Sequence, residues 1–375
     1  MQFKKYFKRH IIAIFLISAF PLAAHPFETG GISFGSRMSI WGECRDEWQL
    51  GLREIPELRL EHLSGQGAIM DMEVSLHMST WWPADSISGF IDNKDVGFYR
   101  AWMRYAPSQF EIRAGLQKIN FGPARILRTL RWFDNIDVRD PMGITMGVWG
   151  ILARYYFINN ANVWLWALHG NNGRKGLELF DSKKDHPELG GRVQVPVPSG
   201  EIALTLHGRH IGTTEWDSLS YGSLQDGREF RCGVDGIWDL GPGLWFETAL
   251  SEIRIDKDES LWQEYLTAGA DYTVGAGPGI HVLCEHFLKT EGREIYRLRN
   301  AGRITAVSMD FSLSMFDSIT AIAYYDWDRS DTSTYAGWER AYDNWLFNLY
   351  LFSAEEADEG SYSGSGGRFM VTYVY

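Results

Sequence analysis

Hydrophobic and polar residues alternate with a period of two in many segments of about ten residues along the chain. Segment 68–78 shows this pattern: its even-numbered positions hold only alanine, methionine, valine or leucine, and positions 71, 73, 75 and 77 are polar. The alternation recurs at 96–106, 109–119, 200–210, 228–239 and 261–274. Successive side chains of a strand point to opposite faces, so each segment predicts a strand with one apolar and one polar face.

Short and long connections alternate between these segments. Turn residues mark short connections near 65–67, 107–108, 159–160, 198–200, 241–243 and 275–279, and longer polar connections lie at 79–95, 119–147, 171–187, 211–227 and 289–300. Outer-membrane barrels have short periplasmic turns and longer external loops, whereas a soluble β-sandwich has no reason for this alternation. The sequence therefore predicts an all-β fold, a transmembrane antiparallel β-barrel.

The number of strands follows less directly from the pattern. Seventeen strand-like stretches can be counted, but a single-chain bacterial barrel needs an even number. Either 33–43 is a periplasmic or plug segment, or one of the stretches near 315–327 and 339–352 is misread. We predict about 16 strands, with 18 as the alternative.

The N-terminal residues have the pattern of an export signal. An apolar run over 11–22 and the pair Ala23-Ala24 follow four basic residues, Lys4, Lys5, Lys8 and Arg9. The run is shorter than the roughly 20 residues of a membrane-spanning helix, so a retained anchor is the less favoured alternative. We expect a cleaved signal peptide at 1–24, and a barrel over 25–375 in the outer membrane of a Gram-negative bacterium.

Charge and cysteine content narrow the function classes. Removal of 1–24 leaves 32 basic and 48 acidic residues, a net charge of −16, which argues against a nucleic-acid partner. The number and spacing of Cys44, Cys232 and Cys284 match neither a disulfide framework nor a zinc motif. We expect no metal and no cofactor.

Enzymatic motifs are sparse in this sequence. It contains no Gly-x-Ser-x-Gly elbow, His-Glu-x-x-His helix or P-loop. Ser75 and His77 share one strand face, as do Thr205 and His207, a spacing that alternation produces by chance. We therefore expect no enzyme, and keep a barrel hydrolase as the third alternative.

The last residues form a further amphipathic stretch. Phe369, Val371, Tyr373 and Tyr375 alternate with Arg368, Met370, Thr372 and Val374. A strand of this kind that ends on an aromatic residue resembles the signal read by the outer-membrane assembly machinery. We expect contact with that machinery through the strand ending on Tyr375, contact of the apolar face with outer-membrane lipid, and a homotrimer as one assembly open to the barrel.

The longest connection, 119–147, is the main candidate for a functional segment, because loops of this length usually carry function. Its position and length resemble the constriction loop that folds into the lumen of general porins. The predicted pore-lining residues are six from this loop and four from the polar faces of nearby strands: Arg125, Arg128, Arg131, Asp134, Asp137, Asp140, Arg100, Arg104, Arg113 and Arg154.

The segment from Arg113 to Pro141 also resembles porin-like and alginate-export-like barrels. The similar residues are Gly115-Leu116-Gln117, Phe121-Gly122 and 137–141. This resemblance covers under a tenth of the chain, and it implies the class of protein rather than a substrate.

Two roles are open for the arginines of the predicted inner face, whose apolar neighbours include Tyr99 and Ala101. Opposite acidic residues, they would create a transverse field that orients polar solutes. Paired with acidic residues, they would hold the wall together. The acidic residues expected on the inner face are Glu57, Glu61, Asp71, Glu73, Asp235, Glu247, Asp271 and Glu285.

Aromatic residues predict girdles at the two membrane interfaces, with a lumen-facing slide for sugars as the alternative; they include Trp81, Trp82, Tyr105, Tyr155, Tyr156, Trp164 and Trp166. The favoured function is an outer-membrane channel for passive passage of small hydrophilic solutes, with anions as one such class. The alternative is a substrate-dedicated barrel that exports or takes up a polysaccharide or an anion.

Overall fold

The computed structural model describes residues 30–45, 47–65, 67–84, 93–134, 143–212, 227–254, 260–275, 278–295, 301–354 and 364–375. The expected signal peptide at 1–24 lies outside these residues. Regular structure in the described ranges is β-strand throughout. None of them contains a helix that is long and apolar enough to cross a membrane.

Nineteen strands follow one another along the described chain. The first nine are β1 (Gly30–Cys44), β2 (Trp48–Leu63), β3 (Ile69–Pro83), β4 (Lys94–Ala106), β5 (Phe110–Gln117), β6 (Val148–Tyr156), β7 (Asn162–Leu168), β8 (Asp181–Ser182) and β9 (Glu188–Val197). The other ten are β10 (Gly200–Gly212), β11 (Gly227–Asp239), β12 (Gly243–Arg254), β13 (Ser260–Val274), β14 (Ile280–Gly292), β15 (Gly302–Ser312), β16 (Asp317–Asp326), β17 (Asp331–Tyr342), β18 (Trp345–Ala354) and β19 (Gly364–Val374).

Eighteen of these described strands form one closed antiparallel barrel. Consecutive strands pair with each other, and β1 pairs with both β2 and β19, so the sheet has no free edge. The two-residue β8 pairs only with the end of β10, while β7 pairs directly with β9. The structure confirms the prediction of an all-β antiparallel barrel.

The 18 strands of the barrel correct the prediction of about 16 and agree with the alternative of 18. The stretch 33–43 belongs to the wall as β1, and the stretch 339–352 spans two strands, β17 and β18. The turn between them contains Asp343 and Asn344, which are turn-forming residues like those at 159–160, but the two strands on either side were interpreted as one stretch. Asp343 adopts a positive φ of 55°, which a tight hairpin turn requires.

The connections define two ends of the barrel. The turns at 64–68, 107–109, 157–161 and 198–199 lie at one end, where β1 begins and β19 ends; we call it the short-turn end. The connections 118–147 and 169–187 leave from the opposite, long-loop end.

Burial follows the alternation along each strand. On β10, Ile202, Leu204 and Leu206 lie on the outer face and are 37%, 44% and 40% exposed, whereas Thr205 and His207 on the inner face are 0% and 1% exposed. The outer face is therefore an apolar band and the inner face is polar.

A bulge between β3 and β4 changes one expected orientation. The pairing shifts between Ser75 and Leu76, whose partners are Arg100 and Phe98, so Tyr99 is the extra residue. Tyr99 packs inside the barrel against Ile55. The expectation that it shares the apolar outer face is therefore wrong.

Candidate functional site

The first described part of the longest connection, 118–134, lies inside the barrel. It leaves β5 and reaches β14, which is eight strands further around the 18-strand wall and so nearly opposite. Ile126 packs against an inner-face cluster that includes Ile322 and Tyr335. This segment therefore crosses the lumen from wall to wall.

A buried carboxylate holds the tip of this segment on the far wall. Glu285 of β14 accepts hydrogen bonds from the backbone N–H groups of Arg125, Ile126 and Leu127, at 2.7, 2.9 and 2.6 Å. The indole N–H of Trp245 donates to the same carboxylate at 3.0 Å. The negative charge of Glu285 thus satisfies three backbone donors that water would otherwise solvate.

A second carboxylate, Glu247 of β12, holds the segment beside this tip. It accepts hydrogen bonds from the backbone N–H groups of Ala124 and Leu130, both at 2.8 Å. Gly122 has φ +89°, and a Cβ there would lie 2.3 Å from the Glu247 carboxylate, so only glycine allows this approach. The sequence predicted Glu247 and Glu285 as parts of an acidic wall; the structure uses both to anchor the loop.

Aromatic packing fills the lumen between the segment and β7. Phe121 stacks on Trp166 with ring centroids 5.8 Å apart, and Phe133 meets the same indole edge-on at 5.6 Å. The Trp166 indole N–H donates to His207 Nδ1 at 3.2 Å. Trp166 is only 3% exposed, so the prediction that it belongs to an interface girdle is wrong.

The connection 169–187 also folds inward. Glu178 is paired with Arg209 at 2.9 Å and with Arg231 at 3.0 Å, and all three side chains are almost fully buried. A Cβ on Gly176 would overlap the carbonyl oxygen of Arg131, which places the two inward segments in direct contact. Side chains therefore occupy the lumen along β7 to β11.

Three of the predicted arginines meet around one carboxylate near the short-turn end. Glu111 lies 3.7 Å from Arg104, 3.3 Å from Arg113 and 3.5 Å from Arg154. Arg104 also donates two hydrogen bonds of 2.8 Å to Asp71. Three guanidinium groups thus face two carboxylates, and we call these five residues the arginine cluster.

Two tryptophans support the arginine cluster from the inner face. The guanidinium of Arg113 lies 4.5 Å from the ring centroid of Trp102, and that of Arg154 lies 3.9 Å from Trp164. Cation–π attraction holds the guanidinium planes against the rings. Trp164 was predicted for an interface girdle, and its place beside Arg154 corrects that assignment.

The fourth predicted strand arginine, Arg100, has a different set of partners. It donates to the backbone carbonyl of Thr145 from two nitrogens, at 3.2 Å each, and to the Thr145 hydroxyl. It also donates to the carbonyl of Tyr99 at 2.5 Å. Arg100 therefore holds the returning limb of the long connection.

The predicted loop residues are dispersed along the segment. Arg125 lies 3.2 Å from Asp271 and is 52% exposed, Asp134 lies 3.8 Å from Lys118, and Arg128 donates to Asn120 and to the carbonyl of Phe121. The carbonyl of Arg131 contacts the second inward segment. Asp137 and Asp140 lie outside the described residues.

The pairs considered for catalysis have separate partners. Ser75 donates to Glu73 at 3.3 Å, while His77 faces Asp95 at 3.4 Å. Within the described ranges, no group of three or more histidine, cysteine, aspartate or glutamate side chains could hold a metal ion.

Comparison with known proteins places this fold among outer-membrane porins. OccK5 (OpdH) of Pseudomonas aeruginosa gives a TM-score of 0.57 over 93% of this chain and 98% of its own, at 9% identity. An anion-selective porin from Comamonas acidovorans gives 0.53 over 92% and 100%, at 12% identity. The trimer form of OmpT of Vibrio cholerae gives 0.52 over 93% and 99%, at 8% identity.

No protein-family model matches this sequence, and no curated protein sequence matches it either. At the identities of the solved structures, the likeness shows the fold alone. The chain has the fold of a porin-like outer-membrane barrel.

Proposed function

We propose that this protein is an outer-membrane channel for small hydrophilic solutes and that it favours anions. The arginine cluster carries this proposal, because its three guanidinium groups and two carboxylates give the cluster itself a net positive charge. The crossing segment 118–134 narrows the lumen, and a narrow pore strengthens the effect of fixed charge on passing ions. One structural relative, from Comamonas acidovorans, is described as anion-selective.

A substrate-dedicated barrel is the second candidate. The indole rings of Trp102 and Trp164 lie directly beside the arginine cluster, and such rings could also contact the apolar face of a sugar or the body of an organic anion. This candidate predicts that one particular solute blocks the ion current at low concentration. A general channel should not be blocked by any one solute at such a concentration.

Single-channel recording in planar bilayers tests the proposal directly. Purified, folded protein should produce discrete conductance steps in potassium chloride. Under a salt gradient, the reversal potential should lie on the same side of zero as the equilibrium potential of chloride. A heat-modifiable, folded barrel that gives no steps would contradict a channel function.

The orientation of the barrel can be tested by cysteine labelling. We propose that the long-loop end is external, because long loops are external in outer-membrane barrels. In a background in which Cys44, Cys232 and Cys284 are replaced by alanine, Lys184→Cys should react with an impermeant maleimide on whole cells, and Asn160→Cys should not. Labelling of the second variant alone would invert the orientation.

Assembly is expected to depend on the seam between β1 and β19. Tyr375 exchanges backbone hydrogen bonds of 2.9 and 3.1 Å with Ser36, and its ring lies 6.3 Å from that of Phe34. Tyr375→Asp should lower the amount of folded barrel in the outer membrane, because a carboxylate loses the aromatic contacts, worth about 1 kcal/mol. Heat-modifiable mobility on gels measures this amount, and Tyr375→Phe is the matched control. Wild-type levels of folded Tyr375→Asp protein would contradict this role, including recognition by the assembly machinery.

We also propose a homotrimer as the assembly, since one structural relative, OmpT, is described in a trimer form. Chemical cross-linking of the folded protein in membranes should then give a ladder that ends at the trimer. A ladder that stops at the monomer would contradict it.

A further inference from the structure

The outer face carries a groove near the long-loop end, across β9 to β12. Its volume is about 500 Å³, within the range of small-molecule sites. Gly208 forms its floor between two exposed apolar side chains, Leu189 and Phe230, which are its direct partners on β9 and β11. A Cβ on Gly208 would meet only a backbone oxygen at 4.0 Å, so the missing side chain leaves this space open.

A row of basic residues closes the groove toward the rim. His210, Arg228 and Arg254 are direct cross-strand partners on β10, β11 and β12, and they lie on the outer face. Like charges placed directly opposite each other repel. An anion bound between Arg228 and Arg254 would therefore offset the repulsion between their guanidinium groups.

The partners of these arginines leave positive charge in the groove. Arg254 is paired with Glu252 at 2.9 Å, and within the described part of the chain Arg228 has no ion pair. On the outer face of the groove, the two guanidinium groups of Arg228 and Arg254 therefore face one carboxylate, that of Glu252.

The groove thus has two parts: an apolar notch over Gly208 between Leu189 and Phe230, and a cationic rim formed by Arg228 and Arg254. An acyl chain fits between Leu189 and Phe230, and a phosphate group fits against the guanidinium groups, which bind phosphate through two parallel hydrogen bonds. Because the notch opens onto the apolar band of the barrel, the ligand must be amphipathic. We infer that this groove binds a membrane lipid with a phosphorylated headgroup, in the outer leaflet. The inference rests on the proposed outer-membrane placement, with the long-loop end external.

Native mass spectrometry of the folded full-length protein in detergent micelles tests this inference. The probe is lipid A that carries two phosphates, and the same lipid without phosphates is the comparison. The phosphorylated lipid should bind as one molecule per chain. Arg228→Gln combined with Arg254→Gln should weaken this binding at least about tenfold, because charge-assisted hydrogen bonds are lost.

Gly208→Leu tests the apolar part of the groove separately. The added side chain fills the notch without a backbone clash, so phosphorylated lipid A should bind more weakly although every arginine remains. Arg303→Gln is the matched control, because Arg303 is an exposed residue near the start of β15, at the same end of the barrel, and pairs with Asp328. This control should bind lipid A as the wild-type protein does.

Several results would overturn the inference. Equal binding of the two lipids would show that acyl contacts alone suffice, and an equal loss in Arg303→Gln would show general attraction to surface charge. Displacement of lipid A by an equimolar amount of inorganic phosphate would show an anion site without a lipid. A chain that conducts ions but does not bind lipid A refutes only this inference, whereas binding without conductance refutes only the channel.

Discussion

Replacement of Glu247 and Glu285 together by glutamine should raise the single-channel conductance about twofold or more and make the open-channel current noisy. The two carboxylates accept five backbone N–H groups of the segment 118–134 and one indole N–H. A hydrogen bond to a charged group contributes about 1.5–3 kcal/mol. Glutamine removes the charge and turns an amide N–H₂ toward groups that can only donate. The crossing segment should then leave the far wall part of the time.

The control for this prediction is Glu291→Gln. Glu291 lies on β14, six residues from Glu285, and contacts Gln263 and Tyr265 rather than the crossing segment. The Glu291→Gln variant should show the single-channel conductance and the current noise of the wild-type protein. Wild-type conductance in a folded Glu247→Gln, Glu285→Gln protein would show that aromatic packing alone holds the segment in place.

The alternation of residues was sufficient to predict the barrel, because a closed sheet with one apolar face needs only a period of two. The strand number was not accessible in the same way. The hairpin between β17 and β18 turns at Asp343 and Asn344, and this two-residue turn is so short that the stretch 339–352 was interpreted as one segment. Tyr99 was misplaced because a bulge depends on the pairing of two strands rather than on one of them.

The inner-face positions of Arg104, Arg113 and Arg154 also followed from the alternation. Their shared partner, Glu111, could not be predicted in this way, because its contacts with the three arginines depend on the register of β4, β5 and β6. On β7, apolar residues occupy both faces, with Trp164, Trp166 and Leu168 inside and Leu165 outside. The pattern therefore could not tell inside from outside, and Trp164 and Trp166 were assigned to the membrane interface.

The anchors of the crossing segment were the least predictable part of the site. Glu285 lies 160 residues from Arg125, whose backbone it binds, and no local pattern reports a contact at this separation. Glu247 and Glu285 occupy ordinary inner-face positions of their strands. A useful signal is Gly122, a glycine in a loop that approaches another chain segment closely.

Replacement of Arg104, Arg113 and Arg154 by glutamine should shift the reversal potential from anion toward cation preference. The change removes three positive charges and keeps the carboxylates of Asp71 and Glu111, so the net charge of the arginine cluster goes from positive to negative. The glutamines retain most of the side-chain volume, and Trp102 and Trp164 remain in place. The conductance should therefore change less than the ion preference.

Two single variants make this prediction specific, and both are measured by reversal potential under a potassium chloride gradient. Glu111→Gln removes a negative charge from the same cluster, so it should shift the preference in the opposite direction, toward anions. Arg100→Gln removes one positive charge that lies outside the arginine cluster and binds Thr145. It should therefore raise the current noise and shift the reversal potential less than the loss of a cluster arginine does. If the triple variant assembles and its reversal potential equals that of the wild-type protein, the arginine cluster does not select ions. If the triple variant does not assemble, Arg113→Gln alone provides the test, with a smaller shift in the same direction.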